Sequence, residues 1–272
     1  MKRHYQKLTL AALLAATLSG LSISAMAGQL EEGYGLFKQK NYAGALGLWR
    51  PLAEQGNAEA QYFLGEMHFS GLSVAKNYSE AAKWYMKAAR QGSTPATSAL
   101  NLMYMQGVAA QNNGDHSTAF HLWRPLAELG YARAQCSLGL LYYQGLGVPQ
   151  NYTEAAKWYR RSANQGDAAA QYNLGIIYAQ GRGVMQDNEE AAKWNRKAAN
   201  QGDPDAQAKL GNAYSHGFGV QKDDVQAYMW LNLAAAGNGQ YSKLRDEIEK
   251  QLNPAQLAQG QKISRGWKAK TQ

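Results

Sequence analysis

The sequence contains a single cysteine, Cys136, and only 6 prolines among its 272 residues. One cysteine excludes an intramolecular disulfide framework and any metal site built from several thiolates. The shortage of proline argues against a proline-rich linker, whereas the 28 glycines suit a protein whose helices end at glycine. Charged residues make up 18% and hydrophobic residues 45%, a balance that argues against wholesale disorder. The length predicts one or two domains with a substantial core.

The N-terminal apolar run is too short for a typical membrane span. Leu8–Ile23 has 16 residues, whereas a spanning helix needs about 20. The run follows a basic segment, Met1–Lys7, and precedes a small-x-small cleavage site that ends at Ala27. This order predicts a secretory signal peptide over 1–27, with cleavage after Ala27; the alternative is an anchor helix that stays uncut. There is no cysteine at the cleavage site to carry a lipoprotein anchor. We therefore predict a periplasmic or secreted protein without a stable membrane span after signal cleavage.

The positive charge is concentrated at the two ends of the chain. The formal net charge is +8, but the predicted signal peptide holds three of the 28 cations and no acid. The mature chain therefore has 25 cations against 20 acids, a net charge of +5. The segment 238–272 has seven cations and three acids, so the middle of the chain carries only about +1. A protein that neutralises many phosphates needs a concentrated cationic face, so we predict no nucleic-acid partner.

An internal repeat dominates the sequence. Three independent series keep a period of 36 residues, apart from one spacing of 38 that they share. One is an Asn or Asp four residues before an Ala, another is a Leu that precedes Gly or Asn, and the third is a later glycine. The series are Asn41, Asn77, Asp115, Asn151, Asp187 and Asp223; Leu64, Leu100, Leu138, Leu174 and Leu210; and Gly71, Gly107, Gly145, Gly181 and Gly217. The count is a shortened opening repeat, five full repeats and a tail.

Each repeat is predicted to form two helices. The second helix begins at the Asn or Asp, whose side chain accepts a hydrogen bond from an unpaired backbone N–H, and Glu three residues later indicates a capping box. Alanines and a tryptophan at spacings of three, four and seven mark one helical face, and glycine follows the last turn. In the first helix, Gln61, Leu64 and His68 share an arc that should face the second helix. Because one pair cannot bury its apolar face alone, the pairs must stack into an all-α solenoid of about six repeats.

The repeat that begins at Ala168 closely resembles the Sel-one-like repeat, a relative of the tetratricopeptide repeat. The resemblance rests on AAAQYNLGIIYAQGRGV at 168–184 and on the Asp-x-x-Glu-Ala-Ala-Lys-Trp helix that starts at Asp187. It covers 57–237 as five repeats, whereas 28–56 looks like an ordinary tetratricopeptide unit with a short loop. The family implies a right-handed α-solenoid that binds proteins or peptides.

Two parts of the chain depart from the repeat pattern. The repeat around Pro95–Asn113 has Gly107-Val-Ala where others have a Gly-x-Gly loop, so a local irregularity in curvature is expected there. The segment 238–272 is expected to form capping helices, one over Ser242–Leu252 and one that begins at Asn253-Pro254. The cap would cover the last repeat with Leu257, Ile263 and Trp267.

Signals for catalysis are weak. Ser73 and Lys76 match the Ser-x-x-Lys motif of penicillin-interacting enzymes, and one cysteine-rich branch of the repeat family is penicillin-binding or β-lactamase-like. This chain lacks the Ser-Asp-Asn and Lys-Thr-Gly motifs and the paired cysteines of that branch. Ser73 also falls where other repeats have a loop glycine, so we interpret it as a turn residue and predict no catalytic residue.

Metal and cofactor sites are not predicted either. His116 and His121 lack a third ligand close by in sequence, and a zinc site needs three or four converging ligands. Cys136 takes the position of Tyr62 and Tyr172 in other repeats, which favours a small buried residue. An exposed thiol would instead permit a disulfide-linked dimer, so we expect a monomer with a dimer as the alternative.

The predicted partner-binding residues lie on the first helices, opposite the arc that faces the core. By family analogy these helices line the concave side, and their residues vary between repeats where the packing positions are nearly constant. The candidates are Phe63, Glu66, Gln106, Ser137, Leu140, Gln144, Asn173, Ile176, Gln180, Lys209 and Asn212. A simple solvated surface is the alternative, and Leu102, Leu140 and Ile176 are alternatively expected to pack between repeats.

These observations predict a non-catalytic repeat scaffold of the bacterial envelope that recognises a protein or peptide in its concave groove. Two alternatives stay open. One is an envelope hydrolase that acts on cell-wall or β-lactam substrates, and the other is a secreted factor that binds a host protein.

Overall fold

The computed structural model describes residues 23–269. This part of the chain contains 14 α-helices, one 3₁₀ turn and no β-strand. The helices fall into two compact units, which divide between Leu129 and Gly130. The predicted fold class, an all-α solenoid of helix-turn-helix repeats, is confirmed. Most of the predicted signal peptide, residues 1–22, lies outside the described range.

The first unit consists of three helical hairpins. They pair α1 (Ile23–Lys38) with α2 (Tyr42–Glu54), α3 (Ala58–Ser70) with α4 (Tyr78–Arg90), and α5 (Thr94–Asn112) with α6 (His116–Glu128). Trp49, Leu52 and Met67 are fully buried and anchor the core of the first two hairpins. The predicted cleavage after Ala27 falls within α1, so it would remove the first turn of that helix.

The second unit contains three further hairpins and a closing pair of helices. The hairpins pair α7 (Ala132–Gln144) with α8 (Tyr152–Asn164), α9 (Ala168–Gln180) with α10 (Asn188–Asn200), and α11 (Pro204–His216) with α12 (Asp224–Gly237). A 3₁₀ turn at Gly239–Tyr241 leads to α13 (Ser242–Glu249) and α14 (Pro254–Gly266), which both pack on α12. Asn253 caps α14, as predicted, through reciprocal bonds with Gln256.

The predicted N-caps of the second helices are all present. The side chains of Asn41, Asn77, Asp115, Asn151, Asp187 and Asp223 each accept a hydrogen bond from a backbone N–H in the first turn. The capping-box half of the prediction is wrong, because the glutamate three residues later pairs with a lysine one turn further on. An example is Glu154 Oε1, which lies 2.7 Å from Lys157 Nζ.

Buried glutamines connect successive hairpins. Gln171 is 2% exposed, and its Nε2 donates to the Ala163 carbonyl at the end of α8 over 3.1 Å. Its Oε1 accepts from Gln201 Nε2 at the end of α10, at 2.9 Å. The last carbonyls of a helix lack partners within the helix. Gln171 therefore supplies a hydrogen-bond donor to the end of α8 and an acceptor to the glutamine that follows α10. Gln61 makes the equivalent pair of bonds in the first unit.

We expect Gln171→Leu to lower the free energy of unfolding by about 2 kcal/mol, because the Ala163 carbonyl loses one of its donors and the Gln201 amide loses one of its acceptors. The shift of the urea midpoint measures this loss. Gln221 lies exposed in a loop, so Gln221→Leu is the control and should change stability by less than about 0.5 kcal/mol. Equal shifts for the two variants would contradict the bridging role.

The third hairpin departs from the long-loop hairpins at Gly107-Val-Ala, the place where the sequence departs from the repeat pattern. The helix α5 continues through Gly107 to Asn112 instead of ending in a loop there. Gly107 lies inside the helix against Trp123, whose Nε1 donates to the Tyr104 carbonyl at 3.1 Å. The longer loops have a second left-handed residue two positions after the first glycine, either a glycine or Ser73, whereas the third hairpin has Ala109 there.

The opening and third hairpins are two copies of one variant. Only three residues join α1 to α2 and α5 to α6, whereas seven join the helices of the other hairpins. Trp49 and Trp123 lie in an identical heptapeptide, LWRPLAE, at 48–54 and 122–128. Each indole N–H donates to a carbonyl of the first helix, at 3.3 Å for Trp49 and 3.1 Å for Trp123. This heptapeptide is the sequence signal for the short loop.

Candidate functional site

The second unit carries most of the predicted partner-binding residues on its first helices. They are Ser137, Leu140 and Gln144 on α7, Asn173, Ile176 and Gln180 on α9, and Lys209 and Asn212 on α11. The structure brings six of them together around two neighbouring pockets, to which Ser137 and Asn212 do not contribute. We call this surface the groove, and its residues are Leu140, Gln144, Asn173, Ile176, Gln180 and Lys209.

The larger pocket of the groove lies between α7 and α9 and has a volume of about 170 Å³. Its lining is formed by Leu140, Tyr143, Gln144, Tyr159, Asn173 and Ile176. The Tyr159 ring of α8 is buried at the back, 1% exposed, and burial raises the pKa of its hydroxyl. The pocket has apolar walls and two amides, Gln144 and Asn173, at its edge. It therefore suits a ligand that places an apolar side chain inside and hydrogen-bonds its backbone to these amides.

The smaller pocket lies on the other side of Ile176, between α9 and α11, and measures about 70 Å³. It is lined by Gly175, Ile176, Ala179, Gln180, Asn195 and Lys209. Because Ile176 belongs to both pockets, the two form one continuous binding surface across α9.

Asn195 is the residue that sequence reasoning missed. It lies on α10 and is only 6% exposed, and its Oδ1 has no hydrogen-bond partner among the described residues. The equivalent position holds Tyr85, Tyr159 or Leu231 in the other long-loop hairpins, each packed over a first-helix glycine. The repeat alignment could have identified Asn195, because it has an amide at a position where the other long-loop repeats have an aromatic or aliphatic side chain.

The rim of the groove is polar and partly cross-linked. Gln180 Oε1 accepts a hydrogen bond from the Tyr143 hydroxyl at 3.1 Å, and Arg182 donates to the same hydroxyl at 2.7 Å. Lys209 is exposed and lines the smaller pocket, whose surface is almost entirely apolar. Leu140 packs partly against the core of the unit, so its predicted packing role and its groove position coexist.

Two of the three candidate partner-binding residues of the first unit contact other side chains of that unit. Phe63 stacks on Trp49 with ring centroids 4.2 Å apart, and Glu66 accepts from the Tyr85 hydroxyl at 2.7 Å. Both side chains therefore serve the packing of their own unit. Gln106 is exposed on α5. The alternative that Leu102 packs between repeats is wrong, because its side chain is 56% exposed.

Ser73 is a turn residue, as interpreted from the sequence. It lies exposed in the loop between α3 and α4 with φ +54°, the left-handed conformation that glycine has in other loops. The Lys76 ammonium lies over the Tyr78 ring, 4.9 Å from its centroid.

No three His, Cys, Asp or Glu side chains within 23–269 gather into a metal site. Over the same range, no helix combines the length and apolar character that crossing a bilayer demands.

Cys136 is half-buried on α7 and packs against the core of the second unit, which confirms its packing interpretation. Burial raises the pKa of the thiol, and the neighbouring charge of Asp167 raises it further. Because the thiolate is the nucleophile, we expect the native protein to react with a disulfide reagent at pH 8 about 100-fold more slowly than the unfolded chain. Equal rates would contradict this packing and favour the disulfide-linked dimer.

Comparison with known proteins agrees with the repeat architecture. The sequence model of the Sel1 repeat matches six segments, 24–57, 58–93, 99–131, 132–167, 168–203 and 204–239. A Sel1 repeat protein from Oxalobacter formigenes is 30% identical, with 88% of this chain and 100% of that chain covered and a TM-score of 0.52. A protective antigen of uropathogenic Escherichia coli with an SLR fold is 26% identical, with coverages of 93% and 77% and a TM-score of 0.43. The curated proteins contain no match.

The matched segments span more than half of the chain. They include the opening hairpin, which we predicted from the sequence to resemble an ordinary tetratricopeptide unit. Proteins with this repeat generally mediate protein–protein interactions and are generally non-catalytic. The helical hairpins, the repeat matches and the Oxalobacter formigenes structure agree, and the chain belongs to the Sel1 repeat family.

Proposed function

We propose that the protein is a non-catalytic scaffold of the bacterial envelope that binds an extended segment of a partner protein in the groove of its second unit. The observation that carries this proposal is the pair of adjacent pockets on the first helices, joined at Ile176. The general role of Sel1 repeats in protein–protein interaction supports the class of ligand.

The arrangement of the pockets suits a polypeptide better than a compact small molecule. Packed helices lie about 8–10 Å apart, so pockets on either side of α9 are separated by a similar distance. Side chains on one face of an extended or polyproline-II segment recur every two or three residues, about 7–9 Å. Two such side chains can enter the two pockets, while Gln144 and Asn173 at the edge offer amides to the peptide backbone.

A selection from a library of random nine-residue peptides tests the groove. We expect the wild-type protein to retain a family of related peptides, and Asn173→Arg to weaken the best of them at least about 30-fold because the long cation fills the larger pocket. Asn164 is exposed at the end of α8, so Asn164→Arg is the matched control and should bind within about twofold of wild type. Failure of the library to yield any peptide, or unchanged binding by Asn173→Arg, would reject the groove.

The envelope location is tested at the N-terminus. If the leader is processed as proposed, the protein recovered from the periplasmic fraction begins at Gly28, which N-terminal sequencing or intact mass shows directly. An intact Met1 and recovery from the cytoplasm would contradict the location. Recovery of the processed protein from the culture supernatant would instead favour the secreted factor that binds a host protein.

A further inference from the structure

We infer that a cleft between α4 and α6 in the first unit is a second docking site, which accepts a Gly-Asp-Gly or Gly-Glu-Gly turn of a partner protein. The cleft has a volume of about 450 Å³, within the range of about 300–1,000 Å³ that is typical of ligand pockets. Its lining includes Lys76, Tyr78 and Ser79 at the start of α4, and His121, Arg124 and Glu128 on α6. The inference is separate from the groove, which lies in the second unit.

In the second unit, a Gly-x-Gly loop of the following hairpin fills the corresponding place. The second glycine of that loop, Gly183 or Gly219, lies so close to the first turn of the preceding second helix that a Cβ would clash with its backbone. At α8 the contact is with Tyr152 and Thr153, and the Thr153 hydroxyl donates to the Gly183 carbonyl at 3.4 Å. Both glycines have positive φ, so the turn needs glycine for its conformation as well as for its close approach.

The cleft lies where the third hairpin omits such a loop. Tyr78 and Ser79 occupy in α4 the positions that Tyr152 and Thr153 occupy in α8. The next hairpin instead continues α5 to Asn112 and turns within three residues, none of which lines the cleft. Within the described part of the chain, the Ser79 hydroxyl donates to no carbonyl. A first turn that the fold elsewhere covers with a glycine turn is therefore open to one from another molecule.

The charge at the cleft selects the residue between the two glycines. In the loop that covers α8 this residue is Arg182, whose guanidinium lies over the Tyr152 ring, 5.3 Å from its centroid. In α4 the corresponding ring, Tyr78, has the Lys76 ammonium over it, and Lys76 forms no ion pair with any described acid. An arginine at this place would meet a like charge, whereas an aspartate or glutamate would pair with Lys76.

The side of the cleft that α6 forms is compatible with this preference. The Arg124 guanidinium pairs with Glu128 at 2.8 Å, so the acid that lines the cleft is already neutralised. His121 lies exposed on the same side. An incoming carboxylate therefore meets no unpaired acid among the residues that line the cleft.

A second copy of this chain is a poor source of the turn. Its own Gly-x-Gly loops carry Leu146, Arg182 or Phe218 between the glycines, and none of these side chains is acidic. The loops at 181–183 and 217–219 are also already packed against their preceding hairpins. The occupant that fits is therefore a turn of a different protein.

The test compares short head-to-tail cyclic peptides that contain Gly-Asp-Gly, Gly-Arg-Gly or Gly-Asp-Ala. We expect the full chain to bind the Gly-Asp-Gly peptide at least about tenfold more tightly than either of the others, as measured by fluorescence anisotropy. The arginine would meet Lys76, and the methyl group of the alanine would meet the backbone of the first turn of α4. Lys76→Glu should reverse the charge preference, so that the Gly-Arg-Gly peptide binds more tightly than the Gly-Asp-Gly peptide.

Lys87→Glu is the matched control. Lys87 is also exposed on α4 and lies over an aromatic ring, 4.0 Å from the Trp84 centroid, but it does not line the cleft. This variant makes the same change of charge and should keep the tenfold preference for aspartate. The groove variant Asn173→Arg should also bind the Gly-Asp-Gly peptide as wild type does.

Four outcomes would overturn the site and leave the groove proposal unaffected. They are no binding of any of these peptides, equal binding of the aspartate and arginine peptides, a Gly-Asp-Ala peptide that binds as tightly as Gly-Asp-Gly, and an aspartate preference that survives in Lys76→Glu. Self-association of the wild-type chain that Lys76→Glu abolishes and Lys87→Glu retains would assign the cleft to a second copy and would overturn the partner turn.

Discussion

Replacement of Gly219 by alanine is expected to lower the free energy of unfolding by about 4 kcal/mol, through a left-handed backbone and a steric clash. Gly219 has φ +68°, and a Cβ built there would lie 1.9 Å from the Asn188 carbonyl oxygen and 2.6 Å from the Glu189 backbone nitrogen. These are backbone atoms of the first turn of α10, in the preceding hairpin. They cannot rotate away, so the two hairpins must separate to admit a methyl group.

A second glycine separates the two contributions. Gly202 has φ +95°, but a Cβ there would be no closer than 3.6 Å to its nearest neighbour, Ala269. Gly202→Ala therefore carries only the conformational cost, about 1–2 kcal/mol. Urea unfolding of the two variants gives the difference. Similar losses would show that contact between the loop and the preceding hairpin contributes nothing.

The same contact recurs one hairpin earlier, where a Cβ on Gly183 would lie 2.3 Å from the Tyr152 carbonyl carbon. The Thr153 hydroxyl also donates to the Gly183 carbonyl at 3.4 Å. Gly183 and Gly219 thus set how closely their hairpins approach the preceding ones. The spacing of the first helices in the second unit, and with it the width of the groove pockets, depends on these contacts.

Local rules made the hairpins predictable. An N-cap such as Asp187 bonds a backbone N–H three residues away, and a glycine such as Gly181 ends its own helix in the left-handed conformation. Both depend on a few adjacent residues, so a single repeat contains the information. The third hairpin departs from the repeat because a helix continues wherever nothing stops it, and Gly107 by itself does not stop one.

The candidate site was only partly predictable for a different reason. Period and face placed Asn173 and Ile176 on the groove, because their orientation follows from the helical repeat alone. Glu66 lies on the predicted face, but its carboxylate accepts a hydrogen bond from the Tyr85 hydroxyl, 19 residues away, and the pattern of one helix does not reveal such a contact. Whether the Asn195 amide finds a partner depends on every surrounding element, so no pattern in one helix could reveal that it is unpaired.

Gly107→Ala is expected to destabilise the first unit by about 3 kcal/mol, although alanine is the better helix former by about 1 kcal/mol. A Cβ on Gly107 would lie 2.3 Å from Trp123 Nε1 and 2.8 Å from Cδ1 of the same ring. Trp123 is fully buried and its Nε1 is hydrogen-bonded to Tyr104, so the indole cannot move aside without losing packing and that bond.

Gly47 provides a control of opposite sign in the same unit. It lies exposed within α2, and a Cβ there would have no neighbour within 4 Å. Gly47→Ala should therefore stabilise the protein by about 0.5–1 kcal/mol, as helix propensity alone requires. Midpoints of urea unfolding that move in opposite directions would show that Gly107 is present for the approach of the Trp123 indole. A stabilising Gly107→Ala would mean that the indole is free to shift. The close approach of Trp49 to Gly33 would then not explain why Gly33 is a glycine either.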